Sequence, residues 1–143
     1  MISKLISTVS VVSVLLLQGC GTVQTRNVSP YFDGTLKLND EPVPNAKIML
    51  SITDNDELCH HNIQSTKTDA QGKFSLTPAK KQQGYIPFLN FELGSWTVCA
   101  EYNNQKYTLH TDNRYEGGNF SASYVLSCDL TKNPINKLCT VSR

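Results

Sequence analysis

The chain has 143 residues, including thirteen Lys and Arg, twelve Asp and Glu, and five Cys. This length accommodates one small domain with a short appendage and excludes a large modular enzyme. The formal net charge of +1 and the charged fraction of 17% give no indication of a nucleic-acid-binding surface, so no nucleic-acid partner is expected. The odd number of cysteines requires an explanation.

The N-terminal segment has the pattern of a signal peptide. Lys4 gives a short basic start, and residues 5–17 form an almost unbroken run of thirteen apolar and small side chains. A helix that crosses a hydrocarbon layer needs about 20 such residues, so this run is too short to span a membrane. The run ends in the sequence Leu17-Gln-Gly-Cys20.

This ending resembles the lipobox of bacterial lipoproteins, in which a small residue precedes the cysteine that receives diacylglycerol. The resemblance implies cleavage between Gly19 and Cys20, with residues 1–19 as the signal peptide and the membrane as a partner through the lipid on Cys20. Gly21 follows where lipoproteins retained in the inner membrane commonly carry Asp, which implies a lipid-anchored protein of the outer membrane that faces the periplasm. An ordinary secretory signal followed by a chance cysteine is the alternative.

The segment after the cleavage site is predicted to be a tether. Residues 22–30 are polar and show no periodicity, so residues 20–30 are expected to be a lipidated linker and residues 31–143 the folded domain. Removal of residues 1–19 takes away Lys4 and no acidic residue, which leaves twelve basic and twelve acidic side chains. The mature chain is therefore formally neutral.

Period-two alternation predicts strands in the first part of the domain. Two segments carry apolar side chains on one parity, and we expect them to form half-buried strands that pair as an edge hairpin across a turn at residues 39–41. The apolar positions are Phe32, Gly34, Leu36 and Leu38 in the first segment and Ala46, Ile48, Leu50 and Ile52 in the second. A second hairpin is predicted from strands at residues 64–68 and 73–76, joined by a type I turn in which Gly72 takes a positive φ.

The second half of the chain continues the strand pattern. Strands are predicted at residues 85–91, 95–102, 106–110 and 120–128, the last being the longest. The apolar parity of the 95–102 segment holds Trp96, Val98, Ala100 and Tyr102. About seven to eight short strands without a helical period predict an all-β fold, a small antiparallel sandwich.

Part of this pattern is similar to a known family. The sequences GTLKLNDEPVPNAKIML at residues 34–50 and TKTDAQGKF at residues 66–74 resemble the carboxypeptidase regulatory-like domains, which have a transthyretin-like (Ig-like) β-sandwich. The resemblance implies structural roles for the matching residues: Pro42 and Ala46 shape the first hairpin, Gly72 makes the second turn and Phe74 enters the core.

The cysteines predict an oxidising compartment. If Cys20 carries lipid, Cys59, Cys99, Cys128 and Cys139 remain, and this even number predicts two disulfide bonds. Three pairings are open. We favour Cys128 with Cys139, because a short segment that can turn the chain back joins them, and Cys59 with Cys99.

Few side chains are suited to catalysis or metal binding. The histidines are His60, His61 and His110, and no serine lies in a G-x-S-x-G motif. A zinc site at Cys59, His60 and His61 is disfavoured because the chain has no C-x-x-C pair and adjacent histidines point apart in an extended chain. We therefore predict no enzymatic activity, no metal and no cofactor.

Two loops are further candidates for surface roles. Asp54, Asp56 and Glu57 lack the glycine and terminal glutamate of a calcium-binding loop, so a hydrated loop is expected there. Residues 114–118 form a Gly-rich loop with one tyrosine, which would be suited to contact with a partner.

Three functional hypotheses follow. The favoured one is a non-catalytic, lipid-anchored envelope lipoprotein that acts as a binding or structural module for another envelope protein. The second is an immunity or inhibitor lipoprotein against a toxin or hydrolase that acts in the periplasm. The third is a small sugar-binding module or hydrolase.

Overall fold

The computed structural model describes residues 22–85, 93–116, 121–132 and 138–143. Within these ranges the regular structure consists of eleven β-strands, more than the seven to eight expected. In chain order they are β1 (Thr22–Asn27), β2 (Tyr31–Leu38), β3 (Glu41–Pro42), β4 (Lys47–Ser51), β5 (Asn62–Lys67), β6 (Lys73–Leu76), β7 (Lys80–Tyr85), β8 (Leu93–Tyr102), β9 (Gln105–Glu116), β10 (Ser123–Asp129) and β11 (Cys139–Ser142). None of the described residues belongs to a helix that is long and apolar enough to cross a membrane.

The strands form two larger sheets and one ribbon. The four-stranded sheet has the order β5-β4-β8-β9. The five-stranded sheet has the order β11-β10-β2-β3, with β6 also paired to β2. Strands β1 and β7 pair only with each other among the described residues and make the β1–β7 ribbon. The predicted all-β sandwich fold is confirmed.

The two larger sheets face each other across an aromatic centre. Phe32 of β2, Tyr124 of β10 and Trp96 of β8 have ring centroids 5.9 to 6.4 Å apart. All three side chains are buried, and each occupies the apolar parity of its strand. Burying one large apolar side chain stabilises the folded state by roughly 1.5–3 kcal/mol. The face of each strand that carries these side chains therefore turns inward.

Two predicted turns have the expected geometry, but the hairpins around them differ. Asn39 and Asp40 have φ values of 53° and 63°, the geometry of a type I′ turn, and Gly72 has a φ of 72°. The first turn pairs β2 only with the two-residue strand β3, since β4 lies in the other sheet. The second turn likewise joins β5 in one sheet to β6 in the other. Both predicted hairpins are wrong, because alternation fixes which face of a strand is buried and not which strand lies beside it.

One strand pair is parallel, although the sequence predicts an antiparallel sandwich. Strand β10 runs parallel to β2, from Ser123 opposite Tyr31 to Asp129 opposite Lys37. A parallel pair needs a long connection, and here the whole four-stranded sheet lies between the two strands in the chain. Strand β9, with twelve residues, is the longest strand, so the prediction that the 120–128 strand is longest is wrong.

The predicted tether is wrong for residues 22–30. Thr22–Asn27 form β1, and residues 28–30 are buried. The amide of Val28 donates to the carbonyl of Ala79 at 2.8 Å, and the hydroxyl of Ser29 accepts from the amide of Ala79 at 2.9 Å. Alternation does not predict β1, because β1 and its partner β7 are both polar and neither has an apolar face. Gly19, Cys20 and the predicted strand residues 86–91 and 120 lie outside the described residues.

The two expected disulfide bonds are present. Cys59 pairs with Cys99, and Cys128 pairs with Cys139, as favoured from the sequence. The first bond joins the loop before β5 to β8. The second joins β10 to β11, where the two cysteines are also opposite each other in the strand register.

Thr68 stabilises the segment in which the chain passes from one of the two larger sheets to the other. Its hydroxyl donates to the carbonyl of Val43 at 2.7 Å and accepts from the amide of Ala46 at 2.9 Å. The Thr68 amide also donates to the carbonyl of Ala46 at 3.0 Å. These bonds hold the segment that carries the chain from β3 to β4, and so from one sheet to the other.

Replacement of Thr68 by Val should destabilise the domain strongly. The shape of the side chain is kept, but the Val43 carbonyl and the Ala46 amide lose a partner in a buried place, at an expected cost of about 3 kcal/mol. Urea unfolding of the purified protein measures the effect. The matched control is Thr66→Val on β5, expected to change stability by less than about 0.5 kcal/mol, and an equal loss in both variants would contradict the role of Thr68.

Candidate functional site

The loop at residues 52–61 covers the outer face of the four-stranded sheet. Cys59 is fully buried and bonded to Cys99 of β8, and Met49 of β4 packs against this disulfide. As a result β4 is buried on both faces, whereas the sequence predicts a half-buried strand. The prediction is wrong because the second face is covered by a polar loop that alternation does not reveal.

Asp56 organises this loop from the inside. Its Oδ2 accepts from the Ser51 hydroxyl at 2.7 Å and from the His61 amide at 2.8 Å, and its Oδ1 accepts from the His60 amide at 2.8 Å. The residue is only 7% exposed. The hydrated loop predicted here is therefore wrong for Asp56, although Asp54 and Glu57 are exposed.

The environment of Asp56 favours the carboxylate. Burial penalises the charge and by itself raises the pKa of Asp56, but the hydrogen bond from Ser51 and those from the His61 and His60 amides outweigh it. The His61 imidazole, with Nδ1 3.8 Å from Oδ2, acts in the same direction. The pKa of Asp56 is thus held below its ordinary value.

The end of this loop rests on strand β9. The carbonyl of Glu57 accepts a hydrogen bond from the Thr108 hydroxyl. The next residue, Leu58, is 39% exposed. The loop thereby forms one wall of a depression that follows β9.

This depression, the β9 groove, has a volume of about 830 Å³. It lies between the 52–61 loop on one side and the C-terminal part of the five-stranded sheet on the other. Its apolar lining consists of Leu58, Tyr107, Leu109, Leu130 and Leu138. Lys106 and Lys132 also line it, and His110 is the one histidine among the described residues that does so.

Strand β9 is the last strand of its sheet. One edge pairs with β8, and no described strand pairs with the other edge. The β8–β9 register shifts between Val98 and Cys99, where Leu109 is the extra residue of β9; its side chain is buried in the core. An open strand edge presents backbone N–H and C=O groups that can pair with another extended chain. The groove therefore combines an open edge with an apolar floor, which suits binding of an extended segment.

The structure does not bring Cys59, His60 and His61 together as metal ligands. Cys59 is consumed by a disulfide, and His60 and His61 are exposed. No three His, Cys, Asp or Glu side chains in the described part of the chain are grouped so that they could hold a metal ion.

The comparison with known proteins gives a family without an assigned role. Residues 32–133 match the family model described as Domain of unknown function (DUF6795). The chain belongs to the DUF6795 family. The match runs from β2 to just beyond β10, so it covers the four-stranded sheet and every strand of the five-stranded sheet except β11, and it also leaves out β1. No curated protein matches the chain.

The remaining predicted site residues of this DUF6795 protein fall in different places. Gly19 and Cys20 lie outside the described residues. Residues 114–116 of the predicted partner loop belong to β9, where Tyr115 pairs with Gly94 and Glu116 with Leu93; residues 117–118 are outside the description.

The β9 groove itself was not predictable from the sequence. Its floor combines Leu109, Leu130 and Leu138, which come from β9, from the residue after β10 and from the residue before β11. Each of these leucines has the appearance of an ordinary core residue in its own segment. Only the arrangement of the two sheets brings them together.

Asp56→Asn should destabilise the DUF6795 domain in a pH-dependent way. Asn keeps the size of the side chain but has no charge, and an NH₂ group replaces one of the two acceptor oxygens. The expected loss in the free energy of unfolding is about 2 kcal/mol at neutral pH. The lowered pKa in the folded state means that the charged form stabilises the fold above about pH 4, and that this advantage disappears as pH falls through the folded-state pKa.

Urea unfolding of both proteins at several pH values tests this expectation. The difference in the free energy of unfolding should begin to shrink as the pH falls below about 4, because the unfolded chain then takes up a proton on Asp56, and it should be lost once the pH falls through the lower pKa of the folded state. Glu57→Gln, an exposed neighbour, serves as the control and should have little effect. A difference that stays constant down to low pH would contradict the charged role of Asp56.

Proposed function

We propose that this DUF6795 protein is a non-catalytic, lipid-anchored lipoprotein of the cell envelope whose β9 groove binds an extended segment of another envelope protein. The observation that supports the proposal most strongly is the open edge of β9 beside an apolar floor. The segment bound would add to the four-stranded sheet next to β9.

Strand addition accounts for both features of the groove. Backbone hydrogen bonds to the open edge supply affinity, and pockets for every second side chain supply specificity. Leu109, Leu130 and Leu138 lie at the floor and would receive the alternate side chains that point inward. Leu58, at the rim, would cover the bound segment from the outer side.

The N-terminal sequence supports the anchor. Leu17, Gly19 and Cys20 stand in the order of a lipobox after an apolar run too short to span a membrane. With acyl chains on Cys20 the protein would stay at its membrane, since two or more chains give stable anchoring where one is marginal. The residue after Cys20, Gly21, favours the outer membrane, with the sandwich facing the periplasm.

The resemblance of residues 34–76 to carboxypeptidase regulatory-like domains supports a binding role. The matching residues act in turns and packing: Gly72 has a positive φ in a turn, and Phe74 is buried in the core. The β9 groove offers backbone groups and apolar surface. This chemistry holds a partner segment and does not by itself activate a substrate.

The proposal predicts a contact that depends on the groove. A photo-crosslinking amino acid at Thr111, an exposed groove residue, should capture an envelope protein in intact cells, whereas the same amino acid at exposed Ser65 on β5 should not. Mass spectrometry of the adduct should find the crosslink in one short segment of the captured protein.

Leu58→Asp provides the decisive variant. It places a charge at the groove rim, where Leu58 is 39% exposed, and should reduce the Thr111 adduct about tenfold or more while leaving the fold intact. The matched control is Ile63→Asp at the opposite edge of the same sheet, where Ile63 is 51% exposed. Equal adduct yields in the two variants would contradict the groove as the binding site. A captured toxin or hydrolase would instead favour the immunity hypothesis.

The anchor is tested separately by mass spectrometry of the membrane fraction. The expected protein begins at Cys20, carries acyl chains on that residue and lacks residues 1–19. A soluble protein with an unmodified Cys20 would refute the anchor without bearing on the groove.

A further inference from the structure

The two lysines that line the β9 groove lie at the same end of it. Lys106 is the second residue of β9, and Lys132 follows the end of β10. The other end of the groove is marked by His110, further along β9, whose ring centroid lies 6.4 Å from that of Tyr124 near the start of β10. Moving back along β9 from His110 therefore leads towards the end of β10. Both lysines lie at the end of the groove away from the aromatic centre.

These lysines belong to different walls of the groove. Tyr107 packs against the core, so by alternation the neighbouring Lys106 side chain turns to the outer face of the four-stranded sheet. Lys132 comes from the five-stranded sheet, on the other side of the groove. A strand that adds to β9 would have its main chain between the two walls. A charged group on that main chain would be within reach of both lysines, whereas a side chain would turn to one wall only.

The charges at this end of the groove are not balanced. In the described part of the chain neither lysine has a carboxylate within 4 Å of its ammonium group. Glu101 is opposite Lys106, but it is also opposite Lys47 on its other side, so one carboxylate serves two cations. Glu57 is the one acidic residue among the described lining residues, and its carbonyl is bonded to Thr108. An additional anion at the Lys106 end is therefore favoured.

The direction of β9 determines which end of a bound segment reaches these lysines. Every strand pair in the four-stranded sheet is antiparallel, and antiparallel pairing is the more stable kind per residue. A segment that adds antiparallel to β9 runs from the His110 end to the Lys106 end, so its carboxyl end lies at the lysines. Seven consecutive residues of β9, Gln105–Thr111, line the groove. About seven residues of a bound segment would therefore fill it.

We infer that the β9 groove binds the free C-terminal tail of its partner, antiparallel to β9, with the terminal carboxylate held between Lys106 and Lys132. The inference rests on the proposed addition of a strand at β9. It names the class of segment that is recognised, an extended chain end with a free carboxylate. It excludes a segment that continues past Lys106 as an internal part of the partner chain.

A pool of synthetic decapeptides of random sequence tests this recognition. The purified protein and its Leu58→Asp variant are each used to enrich peptides from the pool, and mass spectrometry identifies those that only the wild-type protein retains. Each of these peptides is then made with a free carboxylate and with a C-terminal amide, and fluorescence anisotropy gives the two dissociation constants. The free acid should bind about tenfold more tightly than the amide, because only the acid forms charge-assisted hydrogen bonds to the lysines.

Variants of the two lysines assign the effect to their ammonium groups. Lys106→Gln and Lys132→Gln should each weaken binding of the free acid several-fold and leave binding of the amide nearly unchanged. The matched control is Lys67→Gln on β5, at the opposite edge of the same sheet, and it should change neither affinity. High salt should weaken the free acid more than the amide.

The other outcomes separate this inference from the groove itself. Equal affinities of acid and amide forms, for peptides that Leu58→Asp no longer retains, would overturn the carboxylate site while leaving strand addition in place. Peptides that bind through an internal Asp or Glu and tolerate amidation would do the same. A pool in which no peptide depends on Leu58 would overturn both the binding groove and the terminal carboxylate site.

Discussion

The packing of Trp96 against Phe32 and Tyr124 is the contact on which the sandwich depends. These rings belong to three strands in two sheets, and each sheet has an apolar face that only the other can cover. The contact requires the chain to change sheets repeatedly, at Thr68 among other places. In the chain, all four strands of the other sheet lie between β2 and β10. This long connection allows β10 to pair with β2 in parallel.

The outer face of the four-stranded sheet is covered by the 52–61 loop and not by another sheet. The 52–61 loop has few apolar side chains, so the Cys59–Cys99 disulfide and the buried Asp56 carboxylate hold it in place of a hydrophobic contact. This cover protects β4 and β8 and stops at β9, where the Glu57 carbonyl meets Thr108. Beyond this contact, the second edge of β9 pairs with no strand in the described part of the chain. A binding site needs such an opening in an otherwise closed fold.

The sequence predicts the buried parity of β2, β8 and β10 and the turns at Asn39-Asp40 and Gly72, because local side-chain alternation and turn chemistry determine them. It does not predict which strands pair, since β4 would alternate in the same way in either sheet. The β1–β7 ribbon escapes prediction because neither strand has an apolar face. The β9 groove escapes it because its leucines come from three segments. Pairings and grooves depend on the global arrangement, which no short window of sequence contains.

The most direct test of the β9 edge as a binding site is amide hydrogen exchange along β9 in the isolated protein. One edge of β9 is paired with β8, and the other edge pairs with no described strand. Amides between Gln105 and Asp112 that donate to β8 should be protected to the level of the β8 amides, and the alternate amides should exchange several orders of magnitude faster. Uniform protection of all these amides would show that the edge is closed in the free protein and would contradict the proposed binding site.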